Sequence, residues 1–247
     1  GKCAGVANVQ YEDFSDSYRV YLNIYGNSDD AGKNIELKVW DASTGIVHPV
    51  VMAYDNLNTN VETEDAVVLQ FSENAMWGDF DYTYLVYATN YIQQSTPLKK
   101  NWNWISVHVN NVESQNAINY VLESINPNGN VIKNKSAHSL YIDQVGVWNE
   151  GNGAVSNVTT SSMYKLQMKA ADTLVVNGEL ANGVEVRLAK GWNWIPYTRN
   201  FTLSLDDALA SAEPMKNDQI KGQEGFAMYN GTAWSGTLKS LVPGRGY

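Results

Sequence analysis

Aliphatic and polar residues alternate along the N-terminal part of the chain. The alternation covers residues 20–25 and 35–40, and apolar runs follow at residues 67–71 and 80–88. A two-residue period is typical of strands that bury one face. Because polar, glycine-containing turns separate these segments and no helical period occurs among them, the pattern predicts an antiparallel β-sandwich of the immunoglobulin-like kind.

The C-terminal part of the chain repeats itself. NWNWI at residues 101–105 returns as GWNWI at residues 191–195. Each motif precedes apolar residues spaced i, i+3, i+4, i+7, which is one face of a short helix, over residues 118–125 and 205–212. Ser204 has the position of an N-cap for the second helix. The later matches are Ile132-Lys133 with Ile220-Lys221, Trp148 with Trp234, and Tyr164 with Tyr247. The sequence therefore predicts a β-rich domain of two tandem repeats, each with one short helix.

The two copies end differently. Copy one has SSMY at residues 161–164 where copy two closes with PGRGY, and it continues into residues 165–168, which have the pattern of a strand. Copy two ends at Tyr247. We therefore expect that copy two is truncated and that more chain follows it in a longer parent protein.

The net charge of -9 is unevenly distributed. Residues 1–98 contain fourteen acids and four bases, whereas residues 99–247 contain twelve acids and thirteen bases. The change coincides with a polar stretch between the two patterns, so we predict an acidic β-sandwich domain at 1–98, repeat one at 99–189 and repeat two at 190–247.

Acidity without a basic cluster argues against a nucleic-acid partner. No apolar stretch reaches the roughly 18 residues of a membrane-spanning helix, so we expect no membrane insertion.

The sequence gives few candidates for catalysis or metal binding. The three histidines lack metal-ligand spacing and no Gly-x-Ser-x-Gly motif occurs. Cys3, the single cysteine, excludes a disulfide framework and a thiolate zinc site. We predict that the chain is not an enzyme and needs no cofactor. Calcium is the one candidate ion, because Asp29–Asp30, Glu62–Asp65 and Asp79–Asp81 are rich in oxygen ligands, but none matches an EF-hand loop and solvated surface acids are the favoured interpretation.

Aromatic side chains are the main candidates for a binding site. The chain has eight Trp and fifteen Tyr residues but only 17% charged residues, which suits sugar rings that pack their C–H faces on aromatic rings. Trp148 and Trp234 lie in turns rich in Asn and Gly, where we expect the rings to be uncovered. Trp77 lies in a predicted loop, and Tyr82 and Tyr84 share one strand face. That face is either a sandwich core, the usual use of such a row, or a binding strip.

The tryptophans of the duplicated motif have two interpretations. Trp102 and Trp104, like Trp192 and Trp194, lie on the strand face opposite the aliphatic residues. Because both copies keep them at the head of the same strand, packing between layers of the fold is the favoured interpretation. A solvent-facing platform is the alternative.

Several of these segments resemble modules of known proteins. KGWNWI at residues 190–195, WSGTL at 234–238 and LVPGRGY at 241–247 resemble a repeat of secreted multidomain proteins of Bacteroidota-type bacteria. Residues 20–26 and 38–45 are similar to a β-sandwich module that often precedes that repeat. Such modules accompany glycoside hydrolases, adhesins and other exported proteins.

The resemblance and the aromatic content together predict a function. We expect a non-catalytic carbohydrate-binding module of a secreted polysaccharide-degrading enzyme, secreted or at the cell surface, with covalently linked neighbouring domains. Its partner would be a polysaccharide, a plant cell-wall β-glycan with xylan favoured, bound by aromatic stacking. The alternative is a structural or adhesion segment of a bacterial cell-surface protein. A weaker third possibility is a catalytic domain whose carboxylates the sequence does not single out.

Overall fold

The fold is mainly β. A computed structural model describes residues 3–14, 16–42, 46–55, 68–78, 84–88, 91–111 and 114–247. Strands account for 37% of the chain and helical residues for 8%, with several antiparallel sheets and two short α-helices. The predicted fold class is confirmed at this level. The chain divides into two compact units, Gly1–Val39 with Pro49–Ala88 and Trp40–His48 with Thr89–Tyr247.

Two small sheets form in the N-terminal part. The strands are β1 (Gln10–Glu12), β2 (Ser17–Arg19), β3 (Lys38–Asp41), β4 (Ile46–Asp55) and β5 (Tyr84–Ala88). β1 pairs with β2, and the second sheet has the order β3-β4-β5. The predicted strand at residues 20–25 is wrong in one respect. Its burial alternates from Tyr21 to Tyr25 but not at Val20, which is exposed. The segment forms no ladder, and its backbone is held by a bond from Tyr25 N to Ala4 O (2.8 Å).

Repeat one and the segments around it build two antiparallel sheets. The elements are β6 (Tyr91–Leu98), β7 (Asn101–Ile105), β8 (Val109–Asn110), α1 (Ile118–Val121), β9 (Gly129–Lys133), β10 (His138–Ile142), β11 (Val147–Trp148), β12 (Tyr164–Met168) and β13 (Asp172–Leu180). One sheet has the order β11-β10-β9-β12-β7 and the other β6-β13-β8. β6 precedes the predicted boundary at residue 98, yet it pairs with β13 along its whole length and belongs to the second compact unit.

Repeat two has counterparts of α1 and of β9 to β11 on a smaller scale, but its motif at residues 191–195 forms no strand, unlike β7 in repeat one. Its elements are β14 (Leu203–Ser204), α2 (Leu205–Ala208), β15 (Gln219–Lys221), β16 (Phe226–Tyr229), β17 (Trp234–Gly236) and β18 (Ser240–Leu241). β15-β16-β17 form one antiparallel sheet, and β14 pairs with β18. Ser204 caps α2 as predicted, because its Oγ accepts a hydrogen bond from Asp207 N (3.1 Å).

Each repeat has its own hydrophobic core, and hydrogen bonds join the two. The predicted helix face of repeat one, Ile118 to Ile125, is fully buried with the inner face of the five-stranded sheet. A second cluster contains Leu205, Ile220 and Tyr247. Between the repeats, the buried Ser106 donates from Oγ to Arg245 O (2.6 Å), so the closing segment of repeat two lies along the end of β7.

Candidate functional site

Trp148 is a core residue. Its ring is only 1% exposed, meets Tyr141 edge-on at 5.6 Å between centroids, and donates from Nε1 to Asn126 Oδ1 (3.1 Å). A Cβ added at Gly129 would lie 2.3 Å from its Cζ2 atom, so the ring lies directly on the backbone of β9. The expectation of an uncovered ring is wrong, because pairing of β11 with β10 turns the side chain inward. A ring with no free face cannot stack on a sugar.

Trp234 occupies the matching place in repeat two. It is half-buried, lies 5.4 Å from the Tyr229 ring and packs against the second core. In both repeats a side-chain oxygen accepts from the Trp backbone N–H, Asn119 Oδ1 in the first (2.7 Å) and Asp206 Oδ1 in the second (3.2 Å). Trp148 and Trp234 thus belong to separate cores and do not form one site.

The other predicted residues lie in the N-terminal unit. Trp77 is half-buried and lines an open groove of about 510 Å³ together with Gly32, Gln70 and Phe71. Tyr84 is half-buried on β5, opposite Asp55, and is not among the residues that line this groove. Tyr82 lies outside the described residues, so the predicted strip of Tyr82 and Tyr84 stays a prediction.

Of the acidic residues considered for calcium, Asp29 and Asp30 are described, and the Asp30 carboxylate has local partners. Asp30 accepts a hydrogen bond from Asn27 N (3.2 Å) and pairs with Lys33 Nζ (3.0 Å), which closes a short 3-10 turn. Within the described ranges, no three potential metal-ligating side chains come together. The stretches Glu62–Asp65 and Asp79–Asp81 lie outside those ranges.

The outer face of the five-stranded sheet carries tryptophans and lysines. Because side chains alternate along a strand, β7 turns Asn103 and Ile105 into the core and leaves Trp102 and Trp104 on the outside. Trp102 is 36% exposed and Trp192, its counterpart in repeat two, is 62% exposed. We call this surface the tryptophan–lysine face; it comprises Trp102, Trp104, Lys133, Lys165, Trp192, Trp194 and Lys221.

The same lysine–indole contact occurs in both repeats. Lys133 Nζ lies 4.8 Å from the ring centroid of Trp102, and Lys221 Nζ lies 4.8 Å from that of Trp192. These distances are within the range of cation–π attraction. The duplicated Ile-Lys pair of the sequence therefore brings an ammonium group to the first tryptophan of each motif.

Lys165 links the inner tryptophans of the two repeats. Its Nζ atom lies 4.4 Å from the Trp104 centroid and 4.5 Å from the Trp194 centroid. The two motifs are thus neighbours on one surface. Both sequence interpretations apply in part, because Trp104 and Trp194 take part in packing between repeats, whereas Trp102 and Trp192 face solvent.

Among the described residues, no carboxylate forms an ion pair with the lysines of this face. β12 and β9 pair so that Lys165 lies directly opposite Lys133, and like charges in that position cost stability. Partial burial, and then the charge of Lys133, lower the pKa of Lys165.

An open groove of about 490 Å³ lies beside Trp102, a volume in the range of small-molecule sites. Its lining consists of Trp102, Val131, Lys133, Lys135, Ser136, Ala137 and His138. Lys135 also donates from Nζ to the backbone O of Trp192 (3.2 Å), which brings repeat two to the edge of the groove. Gln167 lies opposite Trp102 on β12 and adds an amide to the same face.

Hydrogen-bonded amides position the tryptophans. Asn103 accepts from Lys99 N (2.9 Å) and donates to Lys99 O (2.7 Å) and to the backbone of residue 101 (3.0 Å). Asn193 makes the same three bonds with Ala189 and Gly191. The Asn between the two tryptophans therefore fixes the turn ahead of each motif.

No family model matches this chain, and no curated protein or solved structure matches it. The functional interpretation therefore depends on the site itself. Among the described residues, no helix is long and apolar enough to cross a membrane.

The sequence contained one signal for this face. Lys133 and Lys221 occupy equivalent positions in the two copies, as do Trp102 and Trp192. Their contact depends on β12 lying between β9 and β7, and that strand order has no local signature.

Proposed function

We propose that this chain is a non-catalytic carbohydrate-binding module of a secreted polysaccharide-degrading enzyme, and that the tryptophan–lysine face binds the glycan. The ligand would be a plant cell-wall β-glycan, with xylan as the first candidate. The observation that carries the proposal is the exposure of Trp102 and Trp192 at equivalent positions on one surface.

An exposed indole ring keeps a large apolar area in contact with water, and a ligand that covers the ring removes that unfavourable contact. A tryptophan presents a large apolar area, and its face complements the C–H side of a pyranose ring. Trp102 is held on a strand whose next residue, Asn103, is buried and fully hydrogen-bonded. The ring is therefore presented by a rigid element, which lowers the entropy cost of binding.

Polar groups for sugar hydroxyls lie around the Trp102 ring. His138 and Ser136 line the groove, and Gln167 lies across the strand pair. Gln167 Oε1 accepts from Asn130 Nδ2 (2.9 Å), which fixes its amide. A few oriented polar groups around an apolar platform are typical of small-molecule sites.

The composition of the groove favours binding over hydrolysis. Glycoside hydrolysis needs two carboxyl groups on either side of the scissile bond, whereas the described lining residues of the groove include no Asp or Glu. We therefore propose that the module holds a linked catalytic domain near its substrate by raising the effective concentration.

A second candidate is an adhesion segment of a cell-surface protein. The hairpin of β10 and β11 exposes Leu140, Ile142, Val145 and Val147, and clustered exposed apolar residues mark protein interaction sites. Under this alternative, the apolar hairpin binds protein and the tryptophans bind no sugar.

Affinity electrophoresis through gels that contain xylan, β-glucan or mannan separates the two. We expect retardation on at least one glycan and its loss in Trp102→Ala. Trp40→Ala is the matched control, because Trp40 is 65% exposed but belongs to β3, outside the duplicated motifs. This variant should be retarded like the wild type. Unretarded migration of the wild type on every glycan would refute the proposal, and release of reducing sugar would refute its non-catalytic part.

A further inference from the structure

We propose that the glycan bound by the tryptophan–lysine face is anionic, with uronic-acid carboxylates that pair with Lys133 and Lys135 beside Trp102. This inference rests on the proposed function and narrows it to a chemical class. A neutral β-glycan would use the ring but would bring no carboxylate to these ammonium groups.

The first argument is the sign of the charge on the surface. The outer positions of the sheet hold Trp102, Trp104, Val131, Lys133, His138, Leu140, Ile142, Lys165 and Gln167, without a carboxylate. Glu224 lies near the edge of β7, but it pairs with Lys99. Asp143, at the far side, pairs with Lys169 Nζ (2.5 Å). The nearby carboxylates are thus paired with lysines that do not belong to the face.

The second argument is the arrangement of the lysines. Lys133 and Lys165 are directly opposite on neighbouring strands, and Lys165 is placed between two indole rings that stabilise its charge. Lys133 has one ring, that of Trp102. A ligand carboxylate beside Lys133 would offset the repulsion that the pair creates, so the bound state gains stability that the free protein lacks.

The third argument is the position of the charges relative to the ring. Trp102 forms one wall of the groove, and Lys133 and Lys135 line it with His138. A sugar stacked on Trp102 would therefore have two ammonium groups within its immediate surroundings. The Lys221–Trp192 contact repeats this lysine–indole pair in the second copy, so a polymer with several acidic residues has two places to bind.

The experiment compares one acidic polymer with its own uncharged form. Glucuronic-acid-substituted xylan and the same xylan after carboxyl reduction differ only at C6 of the substituent, which is a carboxylate in the first and an uncharged hydroxymethyl group in the second. Isothermal titration calorimetry at two salt concentrations measures the affinity for both. We expect about 10-fold tighter binding of the acidic form, the size of one charge-assisted hydrogen bond, with the difference shrinking at high salt.

Two variants assign the effect to the face. Lys133→Gln should bring the affinities for the acidic and the reduced polymer to within about 2-fold of each other, and this ratio is the readout because it cancels any effect of the variant on binding to the ring. Lys216→Gln, which removes the same charge from an exposed position elsewhere in repeat two, should keep the preference. Thermal unfolding of each variant verifies that the fold is intact.

Each contrary outcome has a distinct meaning. Equal affinity for both forms would overturn the inference and leave the proposed function standing, whereas no binding to either form or to any neutral glycan would overturn both. A preference that survives in Lys133→Gln would overturn the assignment to this lysine. Equal affinity for single-stranded DNA, which also suits lysine–aromatic surfaces, would overturn the glycan as the occupant.

Discussion

Replacement of Trp148 by alanine distinguishes a core tryptophan from a binding one. The ring is almost fully buried, fits against Gly129 and Tyr141, and donates a hydrogen bond to Asn126. Truncation removes the transfer free energy of the indole, leaves a cavity in a close-packed core and leaves the Asn126 oxygen without this donor.

The magnitude follows from the cost of large-to-small core substitutions. Trp→Ala in a core lowers the free energy of unfolding by about 3–5 kcal/mol. In a unit of this size, each kcal/mol lowers the melting temperature by about 2–4 °C, so we expect a decrease of roughly 6–20 °C. Trp102→Ala is the matched comparison. Because Trp102 is 36% exposed, truncation should cost less than at Trp148, about 1–2 kcal/mol from the covered part of the ring and the Lys133 contact.

Urea unfolding followed by near-ultraviolet circular dichroism measures both variants. The transition that reports the second compact unit should move to lower urea for Trp148→Ala and should move less for Trp102→Ala. A free energy of unfolding of Trp148→Ala within about 1 kcal/mol of the wild type would refute the burial of this ring. Equal losses in the two variants would refute the exposure of Trp102.

Three further predictions concern buried polar groups. Burial lowers the pKa of His108 to about 4. As pH falls from about 6.5 towards 4, the unfolded chain therefore protonates this imidazole while the folded protein does not, and about 3 kcal/mol of stability is lost. His108→Phe should show a shallower decrease of melting temperature over this pH range than the wild type, and parallel curves for the two proteins would contradict this. Tyr164→Phe removes the hydroxyl that accepts from Thr159 N (2.9 Å) and should cost about 1 kcal/mol in urea unfolding; an unchanged midpoint would show that the bond contributes nothing. Asn103→Ala removes three hydrogen bonds around Lys99. It should lower the free energy of unfolding by about 2–4 kcal/mol and abolish glycan binding. A stable variant that still binds glycan would show that the turn does not position the motif.

Local patterns predicted the elements that depend on neighbouring residues. The spacing from Ile118 to Ile125 identified a buried helix face, and Ser204 identified the start of the second helix. The alternation in NWNWI placed Trp102 and Asn103 on opposite faces, but it favoured packing for Trp102, which is exposed. These features need only the period of the backbone and a cap, both of which lie within a few residues.

Features set by distant pairing were beyond the sequence. Glycines around Trp148 indicated a turn, but the two-residue strand β11 pairs with β10 and turns the ring into the core. Likewise, β6 pairs with β13, which lies far along the chain from it. Strand order also brings Lys165 beside Trp104 and Trp194. Register and order depend on which strands meet, and a shift of one residue exchanges the two faces.

The central claim is that the tryptophan–lysine face contacts a glycan. The eight indole Nε1–H signals, assigned by single Trp→Phe variants in ¹H–¹⁵N spectra, report it directly when xylan oligosaccharides, with and without uronic-acid substituents, are titrated. The account predicts that the signals of Trp102 and Trp192 shift with saturation while that of Trp148 stays unchanged. The account would be contradicted if other indole signals shift while those of Trp102 and Trp192 stay in place. It would also be contradicted if no indole signal shifts with any glycan.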